Sequence, residues 1–394
     1  MLDAMSHTSR GGDGLRLSSA KVILLVNMIP PYRLPVFEAL AHRVGQLLVW
    51  ISTPMEPDRQ WEPEWGRLDV EVQRSLTLRQ STQHPHGFLD QQFVHIPYDT
   101  IPRLHRARPD VVITSELGLR TAQAAAWCAA TSTPLAMVVH VSESSERGRD
   151  RDRVRRMLRR ILLRRADVVF VPGQSGARYV RRLGADPNLI RIVPVVSPLK
   201  DPVPVEAGRN GGRRLLYAGQ LIERKGIVPF VEALGRWGLR HPKEWVSLRI
   251  VGTGPEAPRL QRVPLPEHVT VDIAAPLPYE RMAEVYRTAD VFALPTLADE
   301  WGMVVNEAMS IGLPVLGSRH SQAVEELVEE EVNGWTFVPD QPEAVDEALE
   351  RVLGTPPEQL ARMGAAARDT VRPLTPEYVA DGFVDGLRMA LERR

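Results

Sequence analysis

Lys21 to Asn27, KVILLVN, places five consecutive aliphatic residues between two polar ones. A strand with no polar face is buried on both sides, so it needs a helical layer above and below it. This restricts the chain to an α/β architecture with a parallel sheet. A Pro-rich loop, IPPYRLP, follows, then helical spacing from Val36 to Arg43. Further strands are expected at Leu47 to Ile51, Asp110 to Thr114, Leu135 to His140, Val168 to Val171 and Ile190 to Val195. Residues 196–212 collect proline, glycine and polar side chains without apolar periodicity and read as a linker. The pattern then restarts at Arg214 to Gln220, Ser247 to Gly254, Val269 to Ala275, Asp290 to Thr296 and Pro314 to Ser318. The expected organisation is a disordered head at 1–18, an α/β domain at 19–195, the linker, a second α/β domain at 213–375 and a helix at 376–394. Two such halves in tandem leave a cleft between them.

At 394 residues the chain exceeds what one hydrophobic core supports. Apolar content of 43% and charged content of 25% are those of a water-soluble protein. A formal net charge of zero gives no field for nucleic acid. The single cysteine, Cys128, excludes an internal disulfide and a cysteine zinc site and fits a reduced compartment. No stretch approaches the roughly 18 apolar residues of a membrane span, and the head has no signal-peptide core. The expected location is the cytoplasm. Lysine is scarce, at Lys21, Lys200, Lys225 and Lys243 only, so a lysine in a motif stands out.

The stretch from Ala293 to Pro314, ALPTLADEWGMVVNEAMSIGLP, carries the most chemistry. A strand end leads through a loop into a short helix from Val304 to Ser310, and Asp299 and Glu307 flank the helix start. Free N–H groups and the positive dipole end there favour a phosphate, while the carboxylates suit sugar or ribose hydroxyls. A capped surface helix with an unrelated acid would show the same two residues. In YAGQLIERKG, Lys225 beside Gly226 makes a phosphate clamp or an ordinary turn. Gly252 and Gly254 form a GxG turn without the rest of a dinucleotide fingerprint, so NAD binding is not expected. His140, at the end of an apolar strand, donates to a sugar hydroxyl or is a hydrogen-bonded core histidine. Tyr32 and Arg33, after the first strand, are candidates for acceptor contact.

Arg147 to Arg165 contains ten arginines with Val154, Met157, Leu158, Ile161 and Leu162 at helical spacing. A basic amphipathic helix of this kind docks on an anionic membrane surface or covers a domain with a solvated arginine face. Asp150 and Asp152 resemble a DxD metal string, but arginines surround them, and they are expected to serve as charge partners.

Taken together, the motifs resemble the retaining glycosyltransferases of family 4, which have two facing Rossmann-like domains, the GT-B fold. The matching residues are Gly219, Gln220, Leu221, Lys225 and Gly226; Gly252, Gly254 and Pro255; Asp299 and Glu307, with seven residues between them; and Asn333 with Gly334. The resemblance implies that Lys225 stabilises a leaving diphosphate, Glu307 binds ribose, Asp299 holds the donor sugar and His140 contacts it. It also implies that backbone N–H groups of Trp301, Gly302, Met303 and Val304 meet the diphosphate. The donor would be a UDP- or GDP-linked sugar bound mainly by the second domain. The acceptor, a saccharide, lipid-linked or metabolite hydroxyl, would sit on the first, with no metal required. Three departures stand out. Gln220 replaces an arginine, leaving Arg224 as a substitute cation; Asp299 replaces Glu, with Glu300 beside it; and Ser321 and Gln322 replace a Gly-Gly pair. A nucleotide-sugar 2-epimerase and a non-catalytic nucleotide-sugar binder share the architecture.

Overall fold

The computed structural model describes residues 17–56, 62–146, 152–197, 199 and 212–393. Most of the expected head and linker, and the first five residues of the arginine run, lie outside these. The first domain contains β1 (Lys21–Val26), α1 (Leu34–Ala41), β2 (Gln46–Ile51), β3 (Asp69–Val72), β4 (Ser75–Gln83), β5 (Leu89–Pro97), α2 (Thr100–Ala107), β6 (Val111–Ser115), α3 (Leu119–Thr131), β7 (Leu135–Val138), α4 (Arg153–Leu163), β8 (Val168–Val171), α5 (Gln174–Arg182) and β9 (Ile190–Ile192). The second contains β10 (Arg213–Ala218), α6 (Ile227–Arg240), β11 (Val246–Val251), α7 (Ala257–Leu260), β12 (Val269–Ala274), α8 (Met282–Tyr286), β13 (Val291–Leu294), α9 (Met303–Ile311), β14 (Val315–Ser318), α10 (Gln322–Leu327), β15 (Gly334–Phe337), α11 (Pro342–Leu353), α12 (Pro357–Val371) and α13 (Pro376–Glu392).

Among the described residues, one sheet runs β3-β2-β1-β6-β7-β8-β9 and the other β12-β11-β10-β13-β14-β15. Every pairing within these two sheets is parallel. The aliphatic run of β1 explains its central place: Ile23 and Leu25 face one buried layer, Val22 and Leu24 the other. The order reverses between β1 and β6 in the first sheet and between β10 and β13 in the second. Loops leaving such neighbouring strands in opposite directions open a crevice at their C-terminal ends.

Several features depart from the sequence expectation, among them β3 and β15, which form where no strand was expected. Leu17, assigned to the head, is buried in a short 3-10 turn, Leu17–Ser19, and its carbonyl accepts from Ala20 and Gly45. β4 and β5 form an antiparallel hairpin outside both sheets, in a region where no strand was expected. Its β5 arm contacts the turn at Glu223–Lys225, and its tip stacks His86 on His320, so it spans from one domain to the other. α13 crosses back to the first domain, where Val379, Phe383, Val384 and Leu387 join the core beside β1 and β8. Each such side chain contributes roughly 1.5–3 kcal/mol on full burial, which ties the two domains together through the last helix. Val196, assigned to the linker, belongs to the same core.

Candidate active site

In the second domain the crevice lies between the loops after β10 and β13. The first loop closes in a 3-10 turn, Glu223–Lys225, and the second is stitched to it by the Leu297 amide donating to the Arg224 carbonyl at 2.8 Å. The Asp299 amide donates to the His320 carbonyl at 3.0 Å, fixing the loop from its other side. This framework brings the Lys225 ammonium onto Asp299 Oδ2, with Arg224 Nη1 3.8 Å from Oδ1 and donating to the Ala298 carbonyl at 3.0 Å. Burial alone would raise the Asp299 carboxyl, but Lys225 and Arg224 outweigh it and hold it below the usual carboxylate range. The carboxylate in turn orients both cations at the crevice.

Gly302 precedes α9 with φ +101°, a left-handed turn that a side chain rarely adopts. The first N–H groups of the helix, from Met303 onward, thus follow directly on the loop that carries Asp299. α9 ends at Gly312 ahead of Pro314, so the observed helix is one residue longer at each end than expected. Trp301 offers only its backbone: its ring is buried and its Nε1 donates to Asn306 Oδ1 at 2.7 Å. Val304 lies in the first turn of α9. Gln220 is half-buried, and its carbonyl accepts from the Tyr217 hydroxyl at 2.8 Å. The Gly219 amide donates to Val251 and the Gly252 amide to Ala274, both at 3.0 Å, extending the strand ladder. A Cβ on Gly252 would strike the Gly219 carbonyl, so this glycine is needed for backbone packing. Gly254 packs against the Leu221 backbone in the same way. Asn333 is buried and holds its own turn, accepting from the Glu329 amide at 2.8 Å.

Glu307 is buried on α9 and accepts a hydrogen bond from the Tyr286 hydroxyl at 2.7 Å. Burial raises its carboxyl and the Tyr286 bond partly offsets this. Glu300 is exposed at residue level, yet it stands between the two cleft walls. That enclosure, with the charge of Glu116 across the cleft, pushes its carboxyl up to about 7.

The first domain supplies the facing wall. His140 follows β7, and Arg33 Nη2 lies 2.7 Å from its Nε2 and 3.2 Å from its Nδ1. Both ring nitrogens thus lie beside a group that can only donate. Burial and then the Arg33 charge hold His140 well below the usual histidine range, so it is neutral at pH 7. Tyr32 and Arg33 line a small apolar cavity of about 40 Å³ with His140 and Phe383.

One residue that sequence reasoning passed over belongs to this wall, and one that it noted only as a departure reaches the wall from α10 of the second domain. Glu116 follows β6 at the reversal point of the first sheet, in a left-handed conformation with φ +72°. Such a backbone costs a non-glycine residue of the order of 1 kcal/mol and persists where surrounding structure imposes it. Its carboxyl is raised by burial, against the lowering charges of Arg33, Arg120 and Arg159. An acid directly after an apolar strand was the available signal. Gln322 is the other. Its Nε2 donates to the His140 carbonyl at 2.9 Å and to the Glu300 carbonyl, and its Oε1 accepts from the Gly176 amide at 2.9 Å. Where a Gly-Gly pair was the reference, Gln322 thus links the two domains, and Ser321 Oγ donates to the Trp301 carbonyl.

Glu300→Gln tests the enclosure of that carboxyl. A carboxyl raised in the folded state contributes stability while protonated and loses it as pH rises from about 4.5 towards about 7. The variant removes this loss. The difference in Tm between Glu300→Gln and wild type, followed by calorimetry, is expected to grow in favour of the variant from pH 5 to pH 8. A constant difference overturns the assignment.

Two Rossmann-like sheets, with a cation pair beside the loop that leads into a helix start, define a two-domain α/β scaffold. Family profiles agree: "Glycosyl transferases group 1" matches residues 204–370, and "Glycosyl transferase 4-like domain" matches residues 31–195. The chain belongs to the family 4, GT-B glycosyltransferases. It is 28% identical over 235 residues to a D-inositol 3-phosphate glycosyltransferase of Xylanimonas cellulosilytica, covering 55% of each chain. It is 25% identical over 182 residues to the uncharacterized glycosyltransferase MJ1607 of Methanocaldococcus jannaschii, covering 46% of each. The matches thus span about half the length of these curated relatives. Among solved structures, the lipopolysaccharide outer core galactosyltransferase WaaB superposes with a TM-score of 0.70 at 13% identity, over 93% of this chain and 99% of that one. Anabaena Alr3699/HepE, solved with UDP, superposes with a TM-score of 0.67 at 16% identity, over 93% and 99%.

Proposed function

We propose that this chain transfers a hexose-type sugar from a UDP- or GDP-linked donor to a hydroxyl of a saccharide, lipid-linked or metabolite acceptor, with retention of anomeric configuration and no metal. The observation that supports this reading is the pairing of Lys225 and Arg224 with Asp299 on the loop that leads into the α9 N-terminus. As the bond from the anomeric carbon to the diphosphate oxygen breaks, negative charge grows on the leaving group. Two cations and a helix start supply the charge that a metal would otherwise carry. The acceptor oxygen bonds to the same carbon on the face the diphosphate leaves, and its proton passes to a departing phosphate oxygen. Asp299 and Glu300 serve the donor-sugar hydroxyls, Glu307 the ribose. Neutral His140 contacts the donor sugar, and Arg33 and Tyr32 border the acceptor side. Closure of the cleft excludes water and limits hydrolysis.

The test is a thermal-shift screen of the purified protein against UDP, GDP, ADP, CMP and their sugar conjugates. Binding to the folded state alone raises Tm with RT ln(1 + [L]/Kd). The structural neighbours solved with UDP and UDP-glucose make uridine nucleotides the first to try. A shift with UDP or GDP conjugates, followed by an acceptor product of unchanged anomeric configuration by NMR, is the expected result. A donor whose sugar changes identity without acceptor overturns transfer in favour of epimerisation. Nucleotide binding with no turnover leaves a binding protein.

A further inference from the structure

The arginine run forms α4, and its described part turns two faces in unequal directions. Arg159 points inward, its guanidinium 2.7 Å from Glu146, and Arg155 reaches the same acid at 3.3 Å. Leu162 and Leu163 are buried on this side. Asp152 is not a charge partner, as the sequence suggested: it caps the helix, accepting from the Val154 and Arg155 amides at 2.9 and 3.2 Å. The opposite side is apolar and open. Val154, Met157, Leu158 and Ile161 are 78%, 64%, 38% and 48% exposed, and their spacing stacks them in one stripe. Exposed Arg153, Arg160 and Arg164 flank it along one edge.

The neighbours of α4 share its charge. α2, α3, α4 and α5 all pack on the same core layer of the first sheet, and none contains an aspartate or glutamate. On the other layer, α13 carries Glu377, Asp381, Asp385 and Glu392. Acids from loops and other elements do reach this layer, Glu71 and Asp99 at Arg103 and Glu143 and Glu325 at Arg178, whereas Arg153, Arg160 and Arg164 of α4 stay exposed beside the stripe. Ile101 of α2 and Leu119 of α3 add exposed apolar side chains to the layer.

We propose that this layer of the first domain docks on an anionic phospholipid bilayer, with the α4 stripe at the acyl boundary and Arg153, Arg160 and Arg164 among the headgroup phosphates. Charge complementarity selects this occupant. A second copy of the chain would bring the arginine edge of one α4 against that of the other, with no acid on either helix, and a nucleic acid has no use for the apolar stripe. No helix among the described residues is long and apolar enough to cross a membrane, so the contact is peripheral. The inference rests on packing and charge and stands apart from sugar transfer.

Co-sedimentation of the full chain with vesicles of phosphatidylcholine, and of phosphatidylcholine mixed with phosphatidylglycerol, tests it. Binding to the mixed vesicles is expected at low salt, weakening as salt is added. Each arginine at the surface contributes roughly fivefold, so Arg160→Glu with Arg164→Glu lowers partitioning by more than about 20-fold. Met157→Glu with Ile161→Glu alters only exposed side chains and is expected to lower it by about 10-fold or more, with an unchanged Tm. No binding to mixed vesicles, equal binding to both compositions, or wild-type binding by either double variant overturns the proposal.

Discussion

Lys225→Ala is expected to lower the turnover of sugar transfer by about 100-fold or more, the size of effect seen when one well-placed charge is removed from a developing anion. The ammonium is bound to Asp299 at the crevice, and Arg224 is the next cation on that carboxylate. Removing Lys225 therefore takes away transition-state charge and also leaves Asp299 poorly compensated in a part-buried place. The second effect costs stability, so the variant needs a partner. In Lys225→Ala combined with Asp299→Asn the uncompensated carboxylate is gone, and the Tm is expected to recover while turnover does not. Measuring kcat and Tm on both variants separates catalysis from folding. Near-wild-type kcat in Lys225→Ala removes this lysine from the phosphate role.

Glu307→Gln is expected to weaken nucleotide affinity by roughly 10- to 100-fold, since a hydrogen bond to a charged group is worth about 1.5–3 kcal/mol. The amide keeps an acceptor for the Tyr286 hydroxyl, so the fold is expected to hold. Glu307→Ala instead leaves that buried hydroxyl unpaired, at a cost of about 1–3 kcal/mol, and both affinity and Tm fall. Calorimetric titration of UDP and GDP into both variants checks the pair. Unchanged affinity in Glu307→Gln removes the ribose assignment and leaves Glu307 as a support for α8 through Tyr286.

Most strands of both sheets were legible because buried parallel strands are short aliphatic runs, as in β1 and β8, whereas the edge strands β3 and β15 were missed: β3 is largely exposed, and β15 is four residues that include a glycine and a threonine. The short helix after Gly302 was legible, to within one residue at each end, from a strand end and loop leading into an apolar segment that stops at Gly312 and Pro314. The β4–β5 hairpin was missed: its strands carry few buried side chains, and Leu76, Leu78 and Leu89 are exposed, so apolar runs do not mark it. Asp152 was read as a charge partner because cap geometry depends on backbone direction, which composition does not carry. Gln322 was legible as a departure from a glycine pair, yet its bond to the His140 carbonyl joins residues 182 positions apart. Likewise the arginines of α4 were plain in the sequence, while which of them turn inward to Glu146 was not.

The sequence by itself determined two parallel α/β units, the strand ends that deliver Lys225, Asp299 and His140, and a basic amphipathic helix, because local periodicity and turn residues encode all of these. Only the tertiary structure decided that α13 returns to the first domain and that the hairpin reaches the second. It also decided that Glu116 and Glu300 share one cleft, and that the α4 stripe of Val154, Met157, Leu158 and Ile161 stays open. Each of these depends on contacts between segments far apart in the chain, whose free energy appears only when both surfaces are packed and which leave no periodic mark on either segment alone.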